Sequence, residues 1–225
     1  MQRTARYFTL GGAGGAPRGV WFVLHGYGQL AGEFIRYFSD LATDETLVVA
    51  PEALNRFYLV STDKAPARDR PVGATWMTRE DRASEIADYV EYLDALFDDV
   101  ISDLTREGTG VHVNLLGFSQ GTATATRWLT HGRARVDRLV LWGGLMPPET
   151  DLSHHGASLR GARVTVVRGT RDHYIDDATL AAERGRLDLA GIPHHLIEFD
   201  GGHVISRQAF ARLTETDAAT GASGR

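Results

Sequence analysis

The sequence predicts a single α/β domain: a mostly parallel central sheet with helices on both faces. Three observations carry this expectation. Short apolar runs alternate with amphipathic segments along the chain, the pattern of strands covered by helices. The 225 residues, 43% of them hydrophobic, suit one core of useful size. Neither an internal repeat nor a domain linker interrupts the alternation, so residues 1–213 read as one domain and 214–225 as a small, polar, frayed tail.

In order, Tyr7–Leu10 is a first strand, followed by a glycine-rich turn from Gly11 to Gly19. Val20–Leu24 is a buried strand, a helix lies near Gly32 to Ala42, and Leu47–Ala50 is a second buried strand. Pro51 to Thr78 contains Pro51, Pro66 and Pro71 and has no clear period. It is read as a long loop over the sheet's edge.

The longest helix spans Arg79 to Glu107. Ile86, Tyr89, Val90, Leu93, Leu96, Phe97, Val100, Ile101 and Leu104 recur every three or four residues, marking its buried stripe. Its other face carries Glu85, Asp88, Glu91, Asp94, Asp98 and Asp103, expected in solvent. Strands at Val111–Leu116, Arg138–Trp142, Val164–Val167 and His195–Phe199 come next, with helices at Gln120–His131, Asp177–Leu189 and Val204–Leu213.

Composition narrows the function classes. A net charge of −5 does not favour a nucleic-acid surface, and arginine supplies all the positive charge except Lys64. With no cysteine, disulfides, Cys-ligated zinc and a thiol nucleophile are excluded. Met1 to Leu10 leads into glycines rather than an apolar stretch, and no segment is long enough to span a bilayer. A cytoplasmic location without stable membrane insertion is therefore expected.

Gly117-Phe118-Ser119-Gln120-Gly121 comes directly after one predicted strand and opens a helix, the setting of a nucleophile elbow. The pattern alone is weak in a chain with 25 glycines, and a serine N-cap is the competing reading. The candidate partners farther along the chain favour the elbow. Of nine histidines, His203 alone sits in a turn directly after the last strand, behind Gly201-Gly202, so it is the candidate base. Asp172, just past the strand at Val164–Val167, is the candidate for orienting that histidine. Asp176 and Asp177 fit better as charges at the next helix start. Ser, Asp, His is the chain order of the α/β-hydrolase arrangement.

In Leu24-His25-Gly26-Tyr27-Gly28, the Tyr27 N–H is a candidate oxyanion donor together with the Gln120 N–H, and His25 braces the loop. Tyr27, Trp76, Met146, Ile175 and Val204 lie on loops expected to ring the site, where they form an apolar acyl pocket or else pack the loops onto the core. The adjacent pairs His154-His155 and His194-His195 have poor spacing for a metal and read as surface residues.

His-Gly-Tyr-Gly, Gly-Phe-Ser-Gln-Gly, Gly-Thr-Arg-Asp and Gly-Gly-His, in this order over Arg18 to Leu213, resemble the phospholipase/carboxylesterase family, which includes acyl-protein thioesterases. The resemblance implies an α/β-hydrolase fold without a separate cap domain, a Ser119–His203–Asp172 triad and ester hydrolysis without a cofactor. It also implies that Trp76 lies near the site entrance and contacts substrate. Tyr27 and Gln29 stand where acyl-protein thioesterases usually show leucine and aspartate, and the stretch from Pro51 to Thr78 also differs. These departures favour a small ester over a lipidated protein. A thioesterase or lysophospholipase, and a non-catalytic binding protein on the same scaffold, are the alternatives. The expected partner is a small ester molecule and not a nucleic acid; a homodimer is compatible with the sequence.

Overall fold

The computed structural model describes residues 4–15, 17–60, 66–105 and 110–213. The tail 214–225 and the predicted helix end at Glu107 lie outside the described residues. The strands are β1 (Tyr7–Gly11), β2 (Gly19–Leu24), β3 (Thr46–Pro51), β4 (Asn55–Tyr58), β5 (Val72–Thr75), β6 (His112–Phe118), β7 (Arg138–Trp142), β8 (Arg163–Gly169) and β9 (His194–Phe199). Seven form the main sheet in the order β1-β3-β2-β6-β7-β8-β9. β1 runs antiparallel to β3, and the other neighbours pair in parallel.

The helices are α1 (Ala31–Phe34, continued by a 3-10 turn at Ile35–Phe38), α2 (Arg82–Leu104), α3 (Gln120–His131), α4 (Leu152–Arg160) and α5 (Asp177–Leu189). Residues 207–213 form a last helix, α6.

Apolar side chains alternate across the sheet because successive strand residues point to opposite faces. Val20, Phe22 and Leu24 of β2 join one core cluster with Leu93 of α2 and Trp128 of α3. Trp21 and Val23 join the other, with Phe34 of α1, Phe38 and Phe210 of α6. A strand buried on both faces favours apolar residues at nearly every position, which is why Val20–Leu24 of β2 and Leu139–Trp142 of β7 read as unbroken apolar runs.

Three features depart from the sequence reading. The stretch from Pro51 to Thr78 is no featureless loop: β4 and β5 pair antiparallel as a separate hairpin. Arg56 of β4 bonds Glu52 at 2.7 Å, and Asn55 donates to Glu85 at 2.7 Å. A helix that was not anticipated, α4, starts at Asp151, whose carboxylate accepts from the N–H groups of Ser153 and His154. It carries His154 and His155, and the His155 ring stacks on His131 at 5.5 Å.

Asp94 is the third departure, because it is buried rather than solvated. It accepts from Trp128 Nε1 at 2.9 Å and from the Arg133 backbone N–H at 2.9 Å, just past the end of α3. Tertiary contact with another helix turned this position inward.

The chain leaves β2 for β3 on one side, while β6 pairs on the other. Such a switch of direction opens a crevice at the carboxyl ends of the strands. The elbow at the end of β6 and the glycine loop after β2 flank it.

Candidate active site

Ser119 joins β6 to α3 with φ 53° and ψ −117°, one of two non-glycine residues with positive φ among those described. A serine held there stores on the order of 1–3 kcal/mol, so surrounding bonds must over-determine it. They do. Its N–H donates to Trp142 O at 2.8 Å, and its carbonyl accepts from Thr122 Oγ1 at 2.7 Å. The Ser119 side chain makes no helix-capping bond, so the competing N-cap reading fails.

The flanking glycines are steric requirements. A Cβ on Gly121 would collide with the Leu24 carbonyl of β2, and one on Gly117 with the Gly121 carbonyl.

The loop after β2 is pinned from both sides. His25 is fully buried; its Nδ1–H donates to Gly26 O at 2.8 Å, and its Nε2 accepts from the Ala53 N–H at 3.1 Å. Burial is the main cause that lowers its pKa to about 4, so the ring is neutral and structural. The Trp76 indole N–H donates to His25 O at 2.9 Å. The N–H of Gly26 is taken by Gln29 Oε1, that of Gly28 by Ala74 O and that of Gln29 by Gly26 O. Among the described residues, the Tyr27 and Gln120 N–H groups have no such partner. The loop also lies against the turn between β6 and α3, since a Cβ on Gly26 would stand 3.1 Å from Ser119 Cβ. The Gln120 side chain reaches β5, its Nε2 donating to Thr75 Oγ1 at 3.0 Å and to Met77 O at 2.9 Å.

Across the crevice, His203 Nδ1 lies 2.8 Å from Asp172 Oδ2, and Asp172 Oδ1 accepts from the Tyr174 N–H at 2.9 Å. A carboxylate only accepts, so Nδ1 carries the proton and Nε2 is left as the basic nitrogen. The Asp172 side chain is 1% exposed and that of His203 20%, which keeps this bond out of bulk water. The imidazole lies 4.9 Å from the Phe118 ring and 4.6 Å from the Tyr174 ring.

Backbone bonds join the two loops: the Thr170 N–H donates to Phe199 O at 2.9 Å and the Arg171 N–H to Gly201 O at 2.8 Å. Asp176 instead caps α5 by accepting from the Thr179 N–H at 2.7 Å, and Asp177 pairs with Arg168.

Gly143, with a φ of +60°, directly follows Trp142, whose carbonyl accepts from the Ser119 N–H. A Cβ on Gly143 would lie 3.1 Å from His203 Cε1. No hydrogen bond joins Ser119 Oγ to His203 among the described residues. Such bonds are commonly long in unliganded enzymes and tighten around substrate.

A pocket of about 350 Å³ opens against Ser119, with Met146 and Ile175 in its wall. Three expectations need correction. Trp76 is 1% exposed and lies in the core, packed on Tyr89 and His25, rather than at the site entrance. Val204 is 53% exposed and outside this pocket, where its carbonyl accepts from Trp142 Nε1 at 2.9 Å. Tyr27 turns its ring outward onto Phe57 at 5.0 Å. The pocket wall also includes Gly143, Tyr174 and Arg127, which the sequence reading missed. Gly143 was findable, because it directly follows a strand whose carboxyl end faces the crevice.

No protein-family model and no curated protein sequence matches the chain. Among solved structures it is similar to esterase PE8, with 20% identity, a TM-score of 0.62, and coverage of 96% of this chain and 98% of that one. It is similar to Zea mays acyl-protein thioesterase 2, with 14% identity, a TM-score of 0.69, and coverage of 96% and 99%. A Bacillus cereus carboxylesterase shares 15% identity at a TM-score of 0.65, with coverage of 94% and 92%. The chain therefore has the α/β-hydrolase fold, in the form shared with these proteins. Among the described residues, no helix is long and apolar enough to cross a membrane.

Proposed function

We propose that the protein is a serine hydrolase of carboxylic esters with small to medium acyl chains. The observation that carries this reading is the 2.8 Å bond from His203 Nδ1–H to Asp172, with His203 beside Gly143, which lines one pocket with a positive-φ serine that makes no capping bond.

In the proposed cycle, Ser119 Oγ attacks the ester carbonyl while His203 Nε2 takes its proton. The backbone N–H groups of Tyr27 and Gln120 stabilise the negative oxygen that develops. The imidazolium then gives its proton to the departing alcohol, leaving an acyl-serine. Water, deprotonated by His203, attacks that ester, releasing the acid and restoring Ser119. The cycle needs no cofactor.

The 350 Å³ pocket supports a short acyl group. The likeness to an acyl-protein thioesterase favours a second reading, thioester or lysophospholipid hydrolysis by the same groups. Rates with acetyl, octanoyl and palmitoyl esters and an acyl-CoA separate the two.

A fluorophosphonate probe tests the core claim. It labels the native protein at Ser119 and leaves Ser119→Ala unlabelled. Labelling that survives the substitution removes the assignment, and a non-catalytic scaffold takes no label at all.

A further inference from the structure

Among the described residues, one charged side chain stands in the wall of the pocket against Ser119: Arg127. Thr122, Ala123, Met146, Pro148 and Ile175 make much of the remainder, all neutral. Ala123 and Arg127 are four residues apart on one face of α3, which begins directly after Ser119. The eight residues from Ser119 to Arg127 span about 12 Å of helix axis. Helical side chains lean toward the N-terminus, and Arg127 Nη1 meets Met77, the residue whose carbonyl accepts from Gln120 Nε2 next to Ser119.

The charge around Arg127 is not balanced. Its side chain is only 9% exposed. Nη2 and Nε contact Glu149 Oε1 at 2.7 and 3.3 Å, and Arg82 bonds the same oxygen. Burial opposes ionisation of Glu149, but the bonds from Arg127 and Arg82 outweigh it and hold its pKa down to about 2. Glu149 is thus fully charged already and neutralises one of two guanidinium groups. Arg127 Nη1 meets Met77 Sδ at 3.4 Å, a weak acceptor for a charged donor. A neutral acyl chain laid over this wall would leave Nη1 with only the thioether and add no acceptor to the surplus cation.

We propose that Arg127 is a specificity-determining residue that binds a carboxylate carried by the substrate, several bonds from the scissile carbonyl. The preferred substrates are then half-esters of short dicarboxylic acids, or esters with the carboxylate at the matching distance on the alcohol side. The proposal rests on Ser119 being the nucleophile.

The test compares kcat/KM for 4-nitrophenyl hemiglutarate against 4-nitrophenyl pentanoate, and for 4-acetoxybutyrate against butyl acetate. The first pair places the carboxylate on the acyl side and the second on the alcohol side. The native protein prefers the carboxylated member of one pair by about tenfold or more, the scale of one charge-assisted bond. Arg127→Gln lowers that ratio by on the order of 10- to 100-fold. The double variant Arg127→Gln/Glu149→Gln, which leaves no unpaired carboxylate, gives the same ratio should the single variant fold poorly. Equal rates within both pairs for the native protein overturn the proposal, as does a preference that survives in the folded variants. Failure of the underlying hydrolase reading looks different: no Ser119-dependent turnover of any of the four esters, and no fluorophosphonate label.

Discussion

At the carboxyl ends of β2 and β6 the site is made of backbone, whereas at the ends of β8 and β9 it is made of side chains. On the first side, Ser119 is held by main-chain bonds to Trp142 and Thr122, and strand and helix approach so closely that Gly117 and Gly121 have no room for a methyl group. On the second side, the arrangement depends on one carboxylate and one imidazole, with the rings of Phe118 and Tyr174 against the imidazole. A backbone-built half tolerates no added atom, while a side-chain-built half tolerates changed atoms but loses chemistry. The two halves therefore fail differently under mutation.

The largest expected effect is on chemistry alone. Ser119→Ala lowers kcat by about 10⁶, on the scale of other serine hydrolases, and leaves the fold intact. A residual activity above about a hundredth of native would move the nucleophile elsewhere. Asp172→Asn lowers kcat by about 10⁴, because an amide stabilises the wrong imidazole tautomer and no imidazolium. A smaller than tenfold loss would transfer the role to another carboxylate.

Gly121→Ala attacks the backbone-built half and is expected to cost more than about 4 kcal/mol in urea unfolding, the range of severe steric insertions. A loss under about 1 kcal/mol would mean that β2 and α3 can part freely.

Acid sharpens the comparison next. His25 has its pKa lowered from 6.5 to about 4, so between those values the unfolded chain binds a proton that the folded protein refuses. Its contribution is complete above pH 6.5 and is lost as pH falls toward 4, up to about 3 kcal/mol in all. Unfolding titrations at pH 7 and 4.5 measure it against His25→Gln, which lacks this group. An equal pH dependence in both proteins would show that His25 is not the cause.

The smallest effect belongs to Asp176→Ala, about 1 kcal/mol from the lost cap of α5, with kcat unchanged. A large drop in kcat would reopen the rivalry with Asp172.

Much of this was legible in sequence for identifiable reasons. The main-sheet strands announced themselves as apolar runs, and the elbow showed because its glycines are demanded by contact rather than preference. The β4–β5 hairpin did not show. Its strands are four residues each, too short to show a period, and they are tied by Glu52 and Glu85 as well as by Ala74 in the core. α4 was missed because Ser153-His154-His155-Gly156 has poor helix propensity, although Asp151 offered a capping signal. Asp94 was misplaced because helical periodicity assigns a face without knowing that another helix ends beside it.

The order of the main-sheet strands along the chain, the elbow and the short list of its candidate partners came from local sequence, because each depends on residue type at fixed short spacing. That Asp172 meets His203 while Asp176 caps a helix, that Trp76 went inward, and that Arg127 came to stand in the pocket wall beside Ser119 were decided only by packing. Those relations join residues from separate strands and helices, and the distance between such residues is a property of the assembled sheet.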